Sequence, residues 1–306
     1  MKVAFWSSVR GSIGVTSNLA CVSIAMAFEQ SCKTVLLENH CQKNPLENML
    51  FQRREKRPDR NALNVSRYTG LEHIMNQLSK GGARGSRGCN VIQDKKAYEE
   101  IWMLKDSHYK DTKLICMENE KLIKEASFEI LLNSLYYVPI GNQVNQFIFD
   151  YTLNDNIIKI LWASEIFASY TFIDTSNENN LSSKIILAEA DLVVVTLVQD
   201  QEVIEHFFDN YSSLLSKCII LLYESKSIAS GIPAISRKYS FHKSKIIPIP
   251  YNIEYSQAIR QGTIVEFMTR NYRCERGSPN YPFIAGVRHA VFAIQSEQNR
   301  KEGWNA

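Results

Sequence analysis

The sequence predicts a doubly wound α/β fold on a mostly parallel sheet of about seven strands. Three observations carry this. Short apolar runs recur along the chain, with helical stretches between them. Several runs are continuous, as in Val193-Val194-Val195 and Ile219-Ile220-Leu221-Leu222, which is how strands covered on both faces read. The strand–helix alternation extends over most of the chain, and layered α/β architectures are built that way.

Strands are expected at Val3 to Trp6, Thr34 to Leu37, Leu135 to Ile140, Tyr170 to Asp174, Leu192 to Leu197, Cys218 to Tyr223 and Lys245 to Ile249. Helices are expected at Asn18 to Phe28, at Glu202 to Leu215, where apolar residues recur at helical spacing, and at Phe283 to Ile294. The stretch 52–113 interrupts the rhythm. Residues 52–60 hold five basic residues and two acidic ones, and residues 81–88 hold four glycines. This reads as an irregular insertion with one short helix, Leu71 to Leu78, and a mobile loop. The organisation is then a single domain over 1–294 with this insertion inside it, followed by a polar, frayed tail at 295–306.

Composition narrows the function. A 45% hydrophobic content excludes wholesale disorder, and 13 Gly and 8 Pro exclude collagen-like and Pro-rich architectures. A net charge of +3 permits a nucleic-acid partner without arguing for one. Seven scattered cysteines without a CxxC pair read as reduced thiols in a cytoplasmic protein, not as a disulfide framework or zinc site. No run of 18 apolar residues supplies a membrane span, and the first residues turn polar too soon for a signal peptide. The six histidines form no HxxxH or HExxH, and no GxSxG is present, so metal catalysis and Ser/His/Asp hydrolysis have no local signature.

The first loop carries more information. Trp6-Ser-Ser-Val-Arg-Gly-Ser-Ile-Gly-Val-Thr-Ser-Asn18 links a strand to a helix. A Gly-bearing turn there is the architecture of a phosphate cradle, because backbone N–H groups and the helix dipole converge on it. Gly11 and Gly14 supply unusual backbone angles, and Thr16 stands where a hydroxyl holds Mg²⁺. The strict P-loop pattern GxxxxGK[ST] nevertheless fails at Val9 and Val15. The loop by itself leaves phosphate binding and a plain tight connection equally open.

Arg10-Gly-Ser-Ile-Gly-Val-Thr16 resembles, without a gap, the deviant Walker A motif KGGxGK[ST] of the ParA/MinD family. Further segments resemble that family in the same order. Lys33 to His40 is similar to its second strand, with Glu38 and His40 in place of an Asp-x-Asp ending. Tyr68 to Ile74, Leu135 to Pro139, Thr171 to Thr175, Ala188 to Val195 and Ile246 to Asn252 follow, with Ala258 and Gly262 downstream. The resemblance implies a P-loop NTPase-like fold and ATP or ADP with Mg as cofactor. It implies phosphate contacts from Arg10, Gly11, Ser12, Gly14, Val15, Thr16 and Ser17, and a metal site at Thr16 and Asp174. It also implies catalytic carboxylates at Asp174 and Glu38, and an adenine contact at Pro250 and Tyr251.

Local readings compete at two of these positions, since Asp174 and Thr16 also suit helix or turn caps. Arg10 keeps the charge of the family's first lysine, but Val15 removes that of the second. Losing one such electrostatic donor costs about 2.7–4 kcal/mol, or about 10²–10³ in rate. The expectation is therefore a degenerate, pseudo-ATPase member acting as a positioning or scaffold factor, like the TadZ-like proteins of Tad/Flp pilus assembly. Its implied partners are a second copy of itself in a homodimer and a pilus or partition component, reached in the cytoplasm or at the inner membrane face through those partners. Two alternatives stand beside it. One is an active partition ATPase using Arg10, Thr16 and Asp174; the other is a non-specific DNA-binding partition protein using Arg53, Arg54, Lys56, Arg57 and Arg60. MinD-like proteins end in a membrane-binding helix, but Phe283 to Ile294 lacks a lysine-rich stripe and reads as core packing.

Overall fold

Strand β1 (Lys2–Trp6) sets the two layers. Successive side chains of a strand point to opposite faces, so Val3 and Phe5 join one apolar core while Ala4 and Trp6 join the other. The computed structural model describes residues 1–11, 14–41, 44–51, 70–80, 110–141, 145–177, 180–224 and 231–304. In chain order the strands are β1, β2 (Thr34–Glu38), β3 (Phe128–Leu131), β4 (Leu135–Tyr137), β5 (Tyr170–Asp174), β6 (Leu192–Val198), β7 (Cys218–Glu224) and β8 (Ile246–Pro250). The helices are α1 (Val15–Glu29), α2 (Pro45–Leu50), α3 (Gly70–Lys80), α4 (Lys110–Ala126), α5 (Gln146–Phe167), α6 (Leu181–Glu189), α7 (Gln201–Asn210), α8 (Gly231–Tyr239), α9 (Ile253–Gln261), α10 (Ile264–Asn271) and α11 (Tyr281–Trp304).

The strands form one sheet in the order β3-β4-β2-β5-β1-β6-β7-β8. Every neighbouring pair is parallel except β3 with β4. Helices α3 to α7 cover one face, and α1, α2, α9, α10 and α11 cover the other. Because both faces are covered, β6 is buried from Leu192 to Leu197, which explains its unbroken apolar run. Helix α1 is buried from Asn18 to Met26 because it lies between the sheet and α11, α10 and α2. A buried ion pair, Lys2 Nζ to Glu165 Oε2 at 2.8 Å, ties β1 to α5.

The seven expected strands are all present, and the eighth, β3, is the addition. It is a four-residue antiparallel edge strand with a charged Glu129, too short and too mixed to show as an apolar run. A tight turn with Asn133 at φ 57° returns it to β4. The strand expected over Leu135 to Ile140 pairs as a ladder only through Tyr137, although Val138 N–H still donates to Leu36 O at 3.0 Å.

The helix expected over Glu202 to Leu215 stops at Asn210. Tyr211 leaves helical space and packs edge-on against Trp6 at 4.8 Å, and Ser212–Lys217 continues as a 3₁₀ turn. The last helix runs to Trp304, beyond the polar tail expected from 295. Its Phe283, Val287, Val291 and Ile294 are buried against α1 and β8, so this stripe packs the core. Lys245 Nζ reaches Glu297 at 3.1 Å within the same polar stretch.

Of the expected insertion 52–113, α3 and the start of α4 are described; its basic run and its 81–88 glycine loop lie outside the described residues. Among the described residues, no helix is long and apolar enough to cross a membrane.

Candidate functional site

Strand β1 lies between β5 and β6, and the chain leaves these strands toward opposite halves of the sheet. Open α/β sheets bind ligands at such a switch point, outside the carboxyl ends of the strands. The carboxyl ends here present three things. The loop after β1 leads into α1, β2 ends in Glu38-Asn39-His40, and β5 ends in Asp174.

The loop is shaped by two glycines. Gly11 has φ 122° with open space where a Cβ would stand, and Gly14 has φ 90° as the residue before α1. Helices α5, α6, α7 and α9 are each capped by a side chain: Asn145, Asn180, Asp200 and Asn252. Among the described residues, no side chain caps α1, as none caps α2 or α10. The first N–H groups of such a terminus are available to an outside acceptor. Arg10 is exposed, and Ser12 lies outside the described residues. Ser17 Oγ donates to Gly14 O at 3.1 Å and so supports the loop. Val15 packs against the apolar core beside α1.

Thr16 and Asp174, 158 residues apart, meet here: the Thr16 hydroxyl donates to Asp174 Oδ2 at 2.7 Å. Asp174 is only 2% exposed. Glu38 is paired in register with Asp174 across β2 and β5 and is equally buried. Its two oxygens accept from Leu46 N–H at 3.2 Å and from the Tyr137 hydroxyl at 2.8 Å. Burial pushes the Glu38 carboxyl up to about 7 from an ordinary 4.5. The Asp174 charge adds to the rise, while His40 and the two hydrogen bonds oppose it.

Three residues outside the expected set complete the constellation. His40 Nε2 lies 3.3 Å from Asp174 Oδ2, so a histidine with no ligand spacing in sequence becomes a site residue in space. Its only sequence signal was its place at an expected Asp. Asn39 is buried and pins the segment: its amide donates to Ser182 and Ser183 Oγ and accepts from Ser176 N–H at 2.7 Å. Asn18 Nδ2 donates to Thr196 Oγ1 at 3.3 Å and ties α1 to β6. Pro250 and Tyr251 stand at the same edge of the sheet but three strands from β1. Tyr251 is half exposed there, with its ring 6.5 Å from that of Tyr223. The link back to the loop comes from Tyr255, whose hydroxyl donates to Ser17 O.

No family model and no curated protein matches the chain. Solved structures do. A ParA family ATPase from Chlorobium tepidum TLS aligns over 95% of this chain and 98% of its own, with a TM-score of 0.61 and 11% identity. The Pyrococcus furiosus cell division ATPase MinD aligns over 96% and 98%, with a TM-score of 0.60 and 10% identity. The fold is that of the ParA/MinD ATPases. A variant of McdA from Cyanothece, solved in complex with ATP, shares the ParA/MinD fold with this chain at a TM-score of 0.55 and 13% identity over 95% of each chain.

At such identities the likeness speaks for the fold, and the residues must speak for the ligand. The uncapped α1 terminus and the open space at Gly11 fit an anionic phosphate, and the Thr16–Asp174 pair offers the oxygen donors that Mg²⁺ prefers. Val15 offers no charge where the P-loop pattern calls for an ammonium. The described part of the loop keeps Gly11, Gly14 and Thr16, and Val15 stands where the pattern has its lysine.

Proposed function

We propose that this chain is a ParA/MinD-like spatial-positioning or scaffold factor that turns over ATP weakly or not at all. The observation that carries the reading is Val15. It begins α1 where the P-loop pattern has its lysine, and its partly buried side chain packs against the apolar core. Backbone N–H groups and the helix dipole support residual binding of ATP or ADP. Thr16 and Asp174 would hold Mg²⁺, which supplies charge neutralisation on the phosphates. Glu38, raised to about 7, is about half ionised near neutral pH, and both its oxygens already accept hydrogen bonds from Leu46 N–H and the Tyr137 hydroxyl.

Together these favour a protein that acts through contacts with partners, a second copy and a pilus-assembly or partition component among them. The TadZ-like, pilus-associated role is the finer part of the proposal and rests on the eroded motif. The test is ATP turnover by the full-length protein beside Asp174→Ala. The reading expects the two to be indistinguishable. Turnover by the wild type that Asp174→Ala abolishes refutes it and favours an active ATPase using Arg10.

A further inference from the structure

We propose that Glu38, His40 and Asp174 form a binding site for a divalent first-row transition cation, zinc(II) foremost. The ligand atoms of these three side chains all lie within 4.8 Å of one another. Two come from adjacent strands in register and the third from two residues past the end of β2. At bond lengths of about 2.0–2.1 Å, the 3.3 Å between His40 Nε2 and Asp174 Oδ2 subtends about 105° at a shared cation, close to tetrahedral.

The donor set selects the ion. One imidazole nitrogen with two carboxylates suits zinc(II) and its neighbours, whereas Mg²⁺ favours oxygen donors alone. The supporting contacts are those a metal site needs. Glu38 is oriented by Tyr137 and by Leu46 N–H, Asp174 by Thr16, and the strand end between Glu38 and His40 by Asn39 through Ser176, Ser182 and Ser183. Three protein ligands leave one position of a tetrahedral zinc(II) for a water molecule. The site shares Asp174 with the proposed Mg²⁺ position but needs neither the cradle nor a nucleotide.

The experiment uses the full chain, stripped with a chelator, free of nucleotide and kept reduced. Zinc(II) uptake is measured by equilibrium dialysis and calorimetry, and cobalt(II) is then used as a spectroscopic probe. The expected result is one tight equivalent of zinc(II) that excess Mg²⁺ fails to displace, with a cobalt(II) spectrum lacking thiolate charge transfer. His40→Ala should weaken binding at least about 100-fold, the upper end of what losing a mere supporting partner costs. Glu38→Gln should weaken it at least about 10-fold; folding of both variants is checked by circular dichroism.

No saturable uptake, or uptake unchanged in a folded His40→Ala or Glu38→Gln variant, overturns the proposal. A thiolate band also overturns it, by moving the metal to one of the seven cysteines. If zinc(II) is not taken up and His40 instead titrates as the partner of Asp174, a proton fills the role assigned to the metal and the proposal falls.

Discussion

Replacing Glu38 by glutamine should stabilise the metal-free protein at alkaline pH and leave it nearly unchanged at acid pH. The folded state holds the Glu38 proton more tightly than the unfolded chain does, since the carboxyl rises from 4.5 to about 7 on burial. A group with a raised folded pKa contributes stability that is fully present below the unfolded value and lost as pH climbs through the folded one. At about 1.36 kcal/mol per pH unit, this shift is worth about 3 kcal/mol between pH 4.5 and pH 7. Glutamine mimics the protonated acid. Its carbonyl can accept from Leu46 N–H, and its amide can donate to the Tyr137 hydroxyl, which is able to accept. Urea unfolding in the presence of a chelator, at several pH values from 4.5 to 8.5, reads the difference directly. Glu38→Gln should gain on the wild type steadily up to about pH 7 and then level off. A difference that stays flat with pH, or that shifts toward the wild type as pH rises, refutes the argument that burial dominates this carboxyl.

Gly262 ends α9 at φ 71°, and a Cβ there would strike backbone oxygens of Phe51 and Asn48. Gly262→Ala should cost at least about 2 kcal/mol from strain and collision together, seen as a lower urea midpoint with an unchanged slope. Asn39→Ala removes three buried side-chain contacts between the ends of β2 and β5 and the start of α6. It should cost about 1–3 kcal/mol in the same assay and increase hydrogen exchange at Ser176, whose N–H loses its acceptor.

The strands were legible because burial on both faces forces unbroken apolar runs, and β6 and β7 carry that signal most clearly. Strand β3 was not, because an antiparallel edge strand of four residues needs only one apolar face and tolerates Glu129. The 3₁₀ break after Asn210 follows from Tyr211 packing on Trp6, a contact 205 residues away in sequence that no local pattern announces. The site shows the same division. Thr16, Asp174 and Glu38 stood at recognisable positions at strand and helix ends. His40 and Asn39 gained their roles only when β2 and β5 were laid side by side, since their partners lie 134 to 144 residues downstream. The aromatic pair of Tyr251 and Tyr223 depends likewise on β7 and β8 being neighbours.

The proposed nucleotide site lacks one charge, at Val15. Val15→Lys adds that charge at the first position of α1 and alters no side chain of β2 or β5. Binding of ATP with Mg²⁺ and its turnover should be measured side by side for the wild type and this variant. Tighter binding and a rise in turnover of about 10²–10³ are expected, the value of one electrostatic donor at a developing charge. A folded variant that neither binds nor turns over ATP better than the wild type would contradict that expectation, and would show that more than the lysine has been lost.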